Sequence, residues 1–388
     1  MISFNKKIKI AALPGDGIGK EVMLAAIPVF KALNLPMEIT FGDIGWEFWK
    51  TEGNPIPERT WALIDSSDAT LVGAITSKPE REAMKEISPK LLKENPIYVS
   101  PVIQLRQKMD LYANIRPCFN IINPVDDFNF CIIRENTEGL YAGFDFYPLP
   151  QEIRPLIDKN ARWKKIKNEE ITCSLRLQSK EGLKRLFNFA FDYAVEHQLH
   201  RVTFADKPNV LRKSSDFSRK IFEEIAGQYP KIYADILNVD AVALWLVRRP
   251  EQFGVIVAEN MFGDILSDLG AGVMGGLGFA ASANIGTQGC YFEPVHGSAP
   301  RIAAHAANPC AMFLTIAQLL QHFGYIESAL NIRQAVQGVI QEKKYLTYDL
   351  GGTSSTTDMA QAIIDYCVVP FQEKTVSFLS TGDEIING

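Results

Sequence analysis

Short apolar runs alternate with amphipathic helical stretches along most of the chain, and this alternation is the strongest constraint on its fold. The apolar runs of strand length lie at 8–13, 69–75, 129–133, 201–205 and 255–258. Helical periodicity is clearest at 20–33, 180–196 and 214–226. Because strands separated by helices usually pair in parallel, the pattern predicts an α/β fold with a mainly parallel core sheet. The glycines at 15, 17 and 19 lack the G-x-G-x-x-G spacing, so they support a Rossmann fold only weakly.

Composition excludes several classes of function. The 388 residues are 47% hydrophobic and 22% charged, which is typical of a soluble globular enzyme large enough for more than one domain. The net charge of -5 and the lack of a basic block with interleaved aromatics argue against nucleic-acid binding. The six cysteines lack C-x-x-C spacing, which indicates reduced thiols. No apolar run approaches a membrane span of about 18 residues, and no secretory signal is visible, so we expect a cytoplasmic protein.

The segment 259–278 contains two carboxylates, Asp264 and Asp268, inside a short helical pattern. A spacing of four residues brings both to one helix face, where like charges repel unless a cation lies between them. A hard divalent cation, Mg²⁺ or Mn²⁺, suits such oxygen ligands. The alternative is an ordinary solvated helix face. The preceding apolar run 255–258 indicates a buried strand that leads into this segment. The glycines at 270, 272, 275, 276 and 278 allow close backbone approach, and both features favour a binding site.

Several cationic residues are candidates for positions at strand or loop ends. Arg106, Arg116 and Arg134 are suited to bidentate contacts with the carboxylates of a polyacid, although a single surface arginine is usually just solvated. Lys207 and Tyr141 each follow a buried run, and such a pair can relay a proton to an enolate. The structural alternatives are a capping lysine and a tyrosine at the core edge.

Two further stretches are candidates for ligand binding. Asp240 precedes an apolar helix and is either a third metal ligand or an N-cap. The loop 293–300 contains small residues and leads into a helix, so its backbone N–H groups are suited to phosphates and a nucleotide.

Taken together, these motifs resemble those of the metal-dependent β-decarboxylating dehydrogenases, which include the isocitrate, homoisocitrate and isopropylmalate dehydrogenases. The resemblance extends from about residue 8 to about residue 364 in a consistent order. The matching motifs are L-P-G-D-G-I-G at 13–19, L-R-x-x-x-D-L-Y-A-N-I-R-P at 105–117, R-E-N-T-E-G-L-Y at 134–141, the lysine at 207, N-M-F-G-D-I-L-S-D at 260–268, H-G-S-A-P at 296–300, N-P at 308–309 and D-L-G-G at 349–352.

The resemblance implies the family's non-Rossmann fold with two domains. Residues 1–109 plus 276–388 would form the large domain with the nucleotide loop, and residues 110–275 an inserted small domain that supplies the contact of a homodimer. Asp264 and Asp268, with Asp240 from the partner subunit, would bind the metal. Ser100, Arg106, Arg116 and Arg134 would bind a small polycarboxylate substrate.

The same resemblance implies catalytic and cofactor-binding roles. Tyr141 would donate a proton to C3, and Lys207 of the partner subunit would help to remove the proton of the substrate hydroxyl. The residues expected to bind NAD or NADP are Thr76, His296, Gly297, Ser298, Ala299, Pro300, Arg301, Asn308 and Tyr348.

Substrate preference should depend on the residues just before Arg106. Isocitrate enzymes resemble S-x-N-x-x-L-R here, and this chain has Ser100 but Val102 in place of the asparagine. Isopropylmalate enzymes carry a glutamate where this chain has Val99. The segment S-P-V-I-x-L-R is most similar to homoisocitrate enzymes. We expect isocitrate, the substrate with the commoner metabolic role in the tricarboxylic acid cycle, slightly ahead of homoisocitrate, and the long stretch 78–95 is expected to reshape the pocket.

For the cofactor, NAD-selective relatives have an acidic residue after H-G-[ST]-A-P, where this chain has Arg301. Tyr348 also resembles NADP-using members, whereas Ile302 and Gly352 depart from them. NADP is therefore expected over NAD.

Two other classes compete with an enzyme. A non-catalytic regulatory paralogue would lack the acids, the tyrosine or the lysine, all of which are retained here. A simple anion- or nucleotide-binding module would not need the three aspartates together with Tyr141 and Lys207.

Overall fold

The structure is a computed structural model that describes residues 7–122 and 128–368. In these ranges the strands are β1 (Ile8–Gly15), β2 (Met37–Phe41), β3 (Ala69–Ala74), β4 (Ala113–Phe119), β5 (Asn129–Glu135), β6 (Asp145–Phe146), β7 (Cys173–Ser174), β8 (Arg201–Asp206), β9 (Tyr233–Asn238), β10 (Val255–Ala258), β11 (Ala281–Ile285) and β12 (Cys290–Pro294). The α-helices are α1 (Ile18–Ala26), α2 (Pro28–Ala32), α3 (Trp46–Glu52), α4 (Glu58–Asp65), α5 (Glu80–Glu86), α6 (Pro101–Lys108), α7 (Arg154–Ile157), α8 (Lys180–Glu196), α9 (Arg212–Ala226), α10 (Val239–Arg248), α11 (Asn260–Met274), α12 (Cys310–His322), α13 (Ile326–Glu342) and α14 (Thr356–Val368).

Ten of these strands form one sheet in the order β2-β1-β3-β12-β11-β4-β5-β10-β8-β9. The strands β2-β1-β3-β12 are mutually parallel and form the first half-sheet, and β5-β10-β8-β9 are mutually parallel and form the second half-sheet. The two half-sheets are joined through antiparallel pairs made by β11 and β4. The predicted α/β fold with a mainly parallel sheet is confirmed.

The antiparallel centre of the sheet differs from the sequence expectation. Here β11 and β12 form a hairpin, with Ala283 opposite Phe292, and β11 also pairs with β4. Consequently the two half-sheets run in opposite directions. Helix periodicity predicts the parallel units because strand and helix alternate locally, whereas the pairing of β11 with β4 brings together segments far apart in the chain.

Helices cover both faces of this sheet: α11 packs on β4 and β5 on one face, whereas α8 and α12 lie on the other. Helix α12 packs on β11 and β12, and its residues 310–320 are all buried, which accounts for its nearly continuous apolar sequence. Helix α8 packs on β8 and β10 of the second half-sheet. Ser179 is the N-cap of α8, and its hydroxyl accepts a hydrogen bond from the Gly182 backbone N–H.

The two stretches that the motifs leave unexplained are both ordered. Within 78–95, helix α5 packs against an aromatic cluster in which Trp46, Trp49 and Tyr98 are buried. The Trp46 indole N–H donates to Glu86, and Lys78 pairs with the same carboxylate. Within 148–170 the chain forms only α7 and short 3-10 turns.

None of the described helices is both long enough and apolar enough to cross a membrane.

Candidate functional site

Most of the predicted substrate and metal residues converge at the centre of the sheet, beside the amino-terminal half of α11. Arg116 lies on β4, Arg134 lies near the end of the adjacent β5, and α11 follows β10 in the next position of the sheet. Gly263 allows α11 to approach β5 closely, because a Cβ atom there would lie 2.7 Å from Cβ of Arg134. The side chains of α11 therefore meet those of two neighbouring strands.

Buried guanidinium groups offset the repulsion between the two carboxylates of α11. Arg134 contacts Asp264 directly, and its Nε and Nη2 atoms donate to Asn260 Oδ1 at 3.0 and 2.7 Å. Arg116 Nη1 lies 3.1 Å from Asp268 Oδ1 and 2.6 Å from Ser267 Oγ. Burial, together with the neighbouring charges of Arg106 and Arg116, lowers the pKa of Arg134. The crowding of positive charge makes this cleft suited to an anion.

A buried amide network holds Arg116 in place. Its Nε donates to Asn114 Oδ1 at 2.9 Å, and Asn114 Nδ2 donates to Ser282 Oγ at 2.8 Å and Asn284 Oδ1 at 2.7 Å. Asn136 donates to the same Asn284 oxygen at 3.0 Å. Sequence reasoning missed this network. The period-2 spacing of Asn114 and Arg116 on one strand is a signal for part of it, but no local pattern identifies Ser282 and Asn284.

Tyr141 extends the cluster toward solvent. Its hydroxyl donates to Asp264 Oδ2 at 2.7 Å, and its ring lies 5.1 Å from the Arg134 guanidinium carbon. Burial, then the hydrogen bond to Asp264 and the charge of that carboxylate, raise the pKa of Tyr141. The phenol is therefore protonated at neutral pH and can act as a proton donor.

Arg106 approaches from α6. Its Nε atom is buried and has no hydrogen-bond partner among the described residues. Burial acts to lower the pKa of Arg106, but Tyr291 and Glu293 outweigh burial and raise it. Ser100 occupies the N-cap position of α6 without making a side-chain capping bond. The Nε–H without a partner is a natural contact for a carboxylate of a ligand.

Lys207 and Asp240 form a separate pair. The lysine, just after β8, contacts the carboxylate of Asp240 in the first turn of α10, and this hydrogen bond is the main cause that lowers the pKa of Asp240. The N-cap position of α10 is occupied by Asn238, so the N-cap interpretation of Asp240 is wrong. In the described ranges, no three His, Cys, Asp or Glu side chains converge to hold a metal. The third predicted ligand is therefore not supplied to Asp264 and Asp268 within one chain.

The predicted nucleotide residues lie around the loop between β12 and α12. Thr76 Oγ1 donates to Ser298 Oγ at 2.7 Å, and Asp16 accepts from the Thr76 backbone N–H at 2.8 Å. Gly17 allows this packing, since a Cβ atom there would lie 2.1 Å from the Ser298 carbonyl oxygen. His296 has a buried Nε2 without a partner in the described chain, and burial lowers its pKa.

The rest of the loop is more open. No atom outside the neighbouring residues lies within 4 Å of a Cβ built on Gly297, whereas Ala299 adopts a left-handed conformation with φ 41°. Asn308 Nδ2 donates to Asp349 Oδ2 at 2.9 Å, which joins the loop to the turn that contains Tyr348. Arg301 and Tyr348 are exposed. Pro300 is also exposed.

The fold and this cleft define an α/β protein whose clustered guanidinium groups are suited to a small anion, beside a loop suited to phosphates. The chain also matches the family model described as isocitrate/isopropylmalate dehydrogenase over residues 9–363. It belongs to this family, whose members are decarboxylating dehydrogenases that generally use a divalent metal and NAD or NADP. The predicted family and its non-Rossmann fold are confirmed.

Three relatives illustrate the similarity. Protein DlpA of Legionella pneumophila is 65% identical over 360 residues, which are 93% of this chain but only 58% of DlpA. A homoisocitrate dehydrogenase of Methanocaldococcus jannaschii is 39% identical, with 92% of this chain and 97% of the relative covered. The crystal structure of an isocitrate dehydrogenase from Methylococcus capsulatus has a TM-score of 0.79 and 36% identity, covering 93% of this chain and 100% of the other.

Proposed function

We propose that the protein oxidises a 2-hydroxy acid bearing a carboxylate on C3 and releases that carboxylate as CO₂. We favour isocitrate, which gives 2-oxoglutarate, with homoisocitrate and 3-isopropylmalate as alternatives. The observation that carries the proposal is the cluster in which a buried arginine, Arg134, and a protonated phenol, Tyr141, both contact Asp264. It combines anion binding, a proton donor and a potential metal ligand within one cleft.

The arginines support the choice of a polycarboxylate. Arg116 and Arg134 are each almost fully buried, and Arg106 adds a buried Nε without a partner in the described chain. Guanidinium groups bind carboxylates through paired N–H donors, and they retain their charge when buried. These three residues would bind and orient the carboxylates of the substrate, with Ser100 at the edge of the same site.

The residues of α11 fit a divalent cation by the chemistry of their donors. Asp264 and Asp268 supply hard carboxylate oxygens, and their side chains are 33% and 59% exposed. Together with Asp240 of the partner subunit they would hold Mg²⁺ or Mn²⁺. When bound, the cation supplies Lewis-acid polarisation of the substrate oxygens.

The protein's own side chains would accept and donate the protons of the reaction. Lys207 of the partner subunit would accept the proton of the C2 hydroxyl, and a bound nicotinamide would supply the hydride acceptor. When the bond between C3 and the departing carboxylate breaks, Tyr141 would deliver a proton to C3. The raised pKa of Tyr141 supports this role because it keeps the phenol protonated at neutral pH.

An exposed apolar surface supports a homodimer with shared sites. On the neighbouring helices α10 and α11, the side chains of Leu244, Val247 and Ile265 are 58%, 61% and 61% exposed. Large apolar side chains grouped at a surface usually mark an interface. Because Asp240 lies on α10 and Lys207 contacts it, a dimer through these helices would bring both residues near the partner's α11.

We retain the domain division 1–109 plus 276–388 and 110–275 as part of this proposal. The opposite directions of the two half-sheets support a boundary near β4 and β11. Residues 1–6, 123–127 and 369–388 of that division lie outside the described residues.

A direct assay tests the proposed reaction. With Mg²⁺ present, reduction of NADP and of NAD should be measured with isocitrate, homoisocitrate, 3-isopropylmalate, malate and tartrate side by side. We expect turnover with one of the first three, accompanied by release of CO₂. No turnover on any substrate would instead support the non-catalytic paralogue. Turnover of malate or tartrate alone would contradict the preferred substrate class.

The choice between isocitrate and homoisocitrate depends on α6. Val102 lacks the amide that an isocitrate γ-carboxylate would contact, and losing such a hydrogen bond costs about 1–3 kcal/mol. Ile103 is 43% exposed near the same helix end. These side chains support homoisocitrate as the second candidate.

Arg301→Asp should shift cofactor preference from NADP toward NAD. Arg301 is exposed in the nucleotide loop, and a charge-assisted contact with a 2′-phosphate is worth about 1.5–3 kcal/mol. The ratio of kcat/KM for NADP to that for NAD should therefore fall at least about tenfold. The matched control is Arg219→Asp on α9, which makes the same charge change at another exposed site. An unchanged ratio would remove the cofactor argument.

A further inference from the structure

We propose a second small-molecule site on the face of the sheet opposite the active site, and we infer that it takes an α-amino acid with an apolar side chain. The site is a cavity of about 300 Å³ between the central strands and the helices α8, α12 and α13. It shares none of the predicted substrate, metal or cofactor residues. The proposal is independent of the decarboxylation proposed above.

The central strands present two chemically different faces. Successive side chains on a strand point to opposite sides, so Asn114 and Arg116 of β4 face the active site, whereas Ile115 faces the cavity. On β11, Asn284 faces the active site and Ala283 the cavity. Phe292 of β12 completes an apolar floor. The strands therefore hold a polar network on one side and an apolar surface on the other.

The cavity wall contains a partly buried cation that has no anionic partner in the described chain. Arg333 of α13 donates from Nη2 to Gln321 Oε1 at 2.9 Å, and its guanidinium carbon lies 5.2 Å from the Phe119 ring centroid. Among the described residues no carboxylate forms an ion pair with it. A partly buried charge without a counterion loses part of its solvation, and a carboxylate entering the cavity would supply the missing partner. Arg333 therefore defines the anionic end of a ligand.

The same wall contains acceptors for a positively charged group. Gln318 is 7% exposed; its Nε2 donates to the Ile115 carbonyl at 3.1 Å, which leaves Oε1 buried without a donor from the described chain. Glu196, at the end of α8, is exposed at the rim of the cavity. An ammonium group can donate to both. One partly buried cation and one carboxylate around an apolar floor match a zwitterion with an apolar side chain.

The remaining titratable groups of the cavity do not alter this charge balance. His197 donates from Nδ1 to the Tyr193 carbonyl at 3.0 Å and accepts at Nε2 from Gln321 at 2.6 Å, so the ring is neutral. His322 is also a lining residue, and burial lowers the pKa of both histidines. Tyr193, whose pKa burial raises, is neutral as well.

The site also connects the two half-sheets. Helix α8 packs on the second half-sheet, whereas α12 packs on β11 and β12 and α13 packs on α12. A ligand held between Arg333 and Glu196 would touch elements from both parts. Binding should therefore stabilise the folded protein by ordinary linkage.

Titration with L-phenylalanine tests the site. Binding to the full chain should be measured by calorimetry, with 3-phenylpropanoate and phenethylamine as probes that lack the ammonium and the carboxylate respectively. We expect saturable binding of L-phenylalanine and at least about tenfold weaker binding of either probe. Arg333→Gln should weaken L-phenylalanine binding at least about tenfold, because it removes a charge-assisted contact. Glu196→Gln should weaken it about two- to fivefold, as expected for an exposed charge.

Two variants control for fold and location. Arg219→Gln makes the same charge change on exposed α9 and should leave binding unchanged. Ala283→Leu adds bulk only on the cavity side of β11 and should abolish binding, which locates the ligand even if Arg333→Gln does not fold. Absence of binding by the wild-type protein at L-phenylalanine concentrations on the order of 10 mM, beyond the weak-affinity range, would overturn the proposal. So would wild-type affinity in Ala283→Leu, or affinity for the two truncated probes equal to that for L-phenylalanine.

Discussion

Asp264→Asn should lower turnover at limiting Mg²⁺ by at least about 100-fold, because it removes a charged oxygen donor from the proposed metal site. The fold should survive the change: Arg134, the main partner of Asp264, keeps its two hydrogen bonds to Asn260. Steady-state rates as a function of Mg²⁺ concentration, together with direct Mn²⁺ binding, measure the effect. An unchanged rate at limiting metal would contradict the assignment of Asp264 as a ligand.

The shared-site part of this prediction can be tested separately. Asp216→Asn on exposed α9 is a matched control and should retain wild-type turnover. Asp240→Asn should also be inactive, since Asp240 is proposed to act in the partner's site. Mixed dimers of the Asp264→Asn and Asp240→Asn variants contain one site with both changes and one with neither. Such mixtures should regain activity, whereas independent sites within each chain would give none.

Tyr141→Phe should reduce kcat by about 10²–10⁴-fold with little change in KM, the range expected for loss of a general acid. The phenylalanine ring keeps the packing position beside Arg134 but lacks the hydroxyl that donates to Asp264. Separate measurement of kcat and KM distinguishes the role, because lost substrate binding alone would raise KM and leave kcat unchanged. That second outcome would exclude Tyr141 as the proton donor.

The pH dependence gives an independent check on Tyr141. Burial and the Asp264 carboxylate raise the pKa of the phenol above its ordinary value of 10.0. A raised pKa means that the acid form persists through the neutral range and is lost only as the pH rises past that value. Any fall in kcat caused by this group should therefore lie on the alkaline side of pH 10.0 and should be absent from Tyr141→Phe.

The candidate site was partly predictable because its motifs follow local patterns. Helix α11 and the common face of Asp264 and Asp268 follow from periodicity, and Arg134 lies at the end of β5, which the apolar run 129–133 predicted. Strand β4, which carries Arg116, was not predicted. The roles of Lys207 and Asp240 remain predictions. Their direct ion pair was not foreseen, because the residues are 33 positions apart and belong to different local units.

Other features depend on contacts that no local pattern records. The glycines in and just after α11 differ in their roles. A Cβ on Gly270 would lie 2.9 Å from Cys118 Sγ, whereas a Cβ on Gly272 would meet nothing within 4 Å. Gly275 ends the helix in a left-handed conformation. Gly263, which the sequence interpretation did not single out, makes the close approach to Arg134. Glycine occurs both at close packing contacts and at open positions, so only the tertiary packing distinguishes the two.

By itself, the amino-acid sequence determined the α/β class, the family and the residue types available to the cleft, since periodicity and motif spacing are properties of neighbouring positions. Tertiary structure alone decided the antiparallel junction at β11 and β4, the partners of each arginine and the division of the central strands into a polar face and an apolar face. These features arise when segments more than a hundred residues apart meet, as Asn114 and Asn284 do across 170 positions. Such pairings depend on how the whole chain buries its apolar surface, which no stretch of sequence specifies alone.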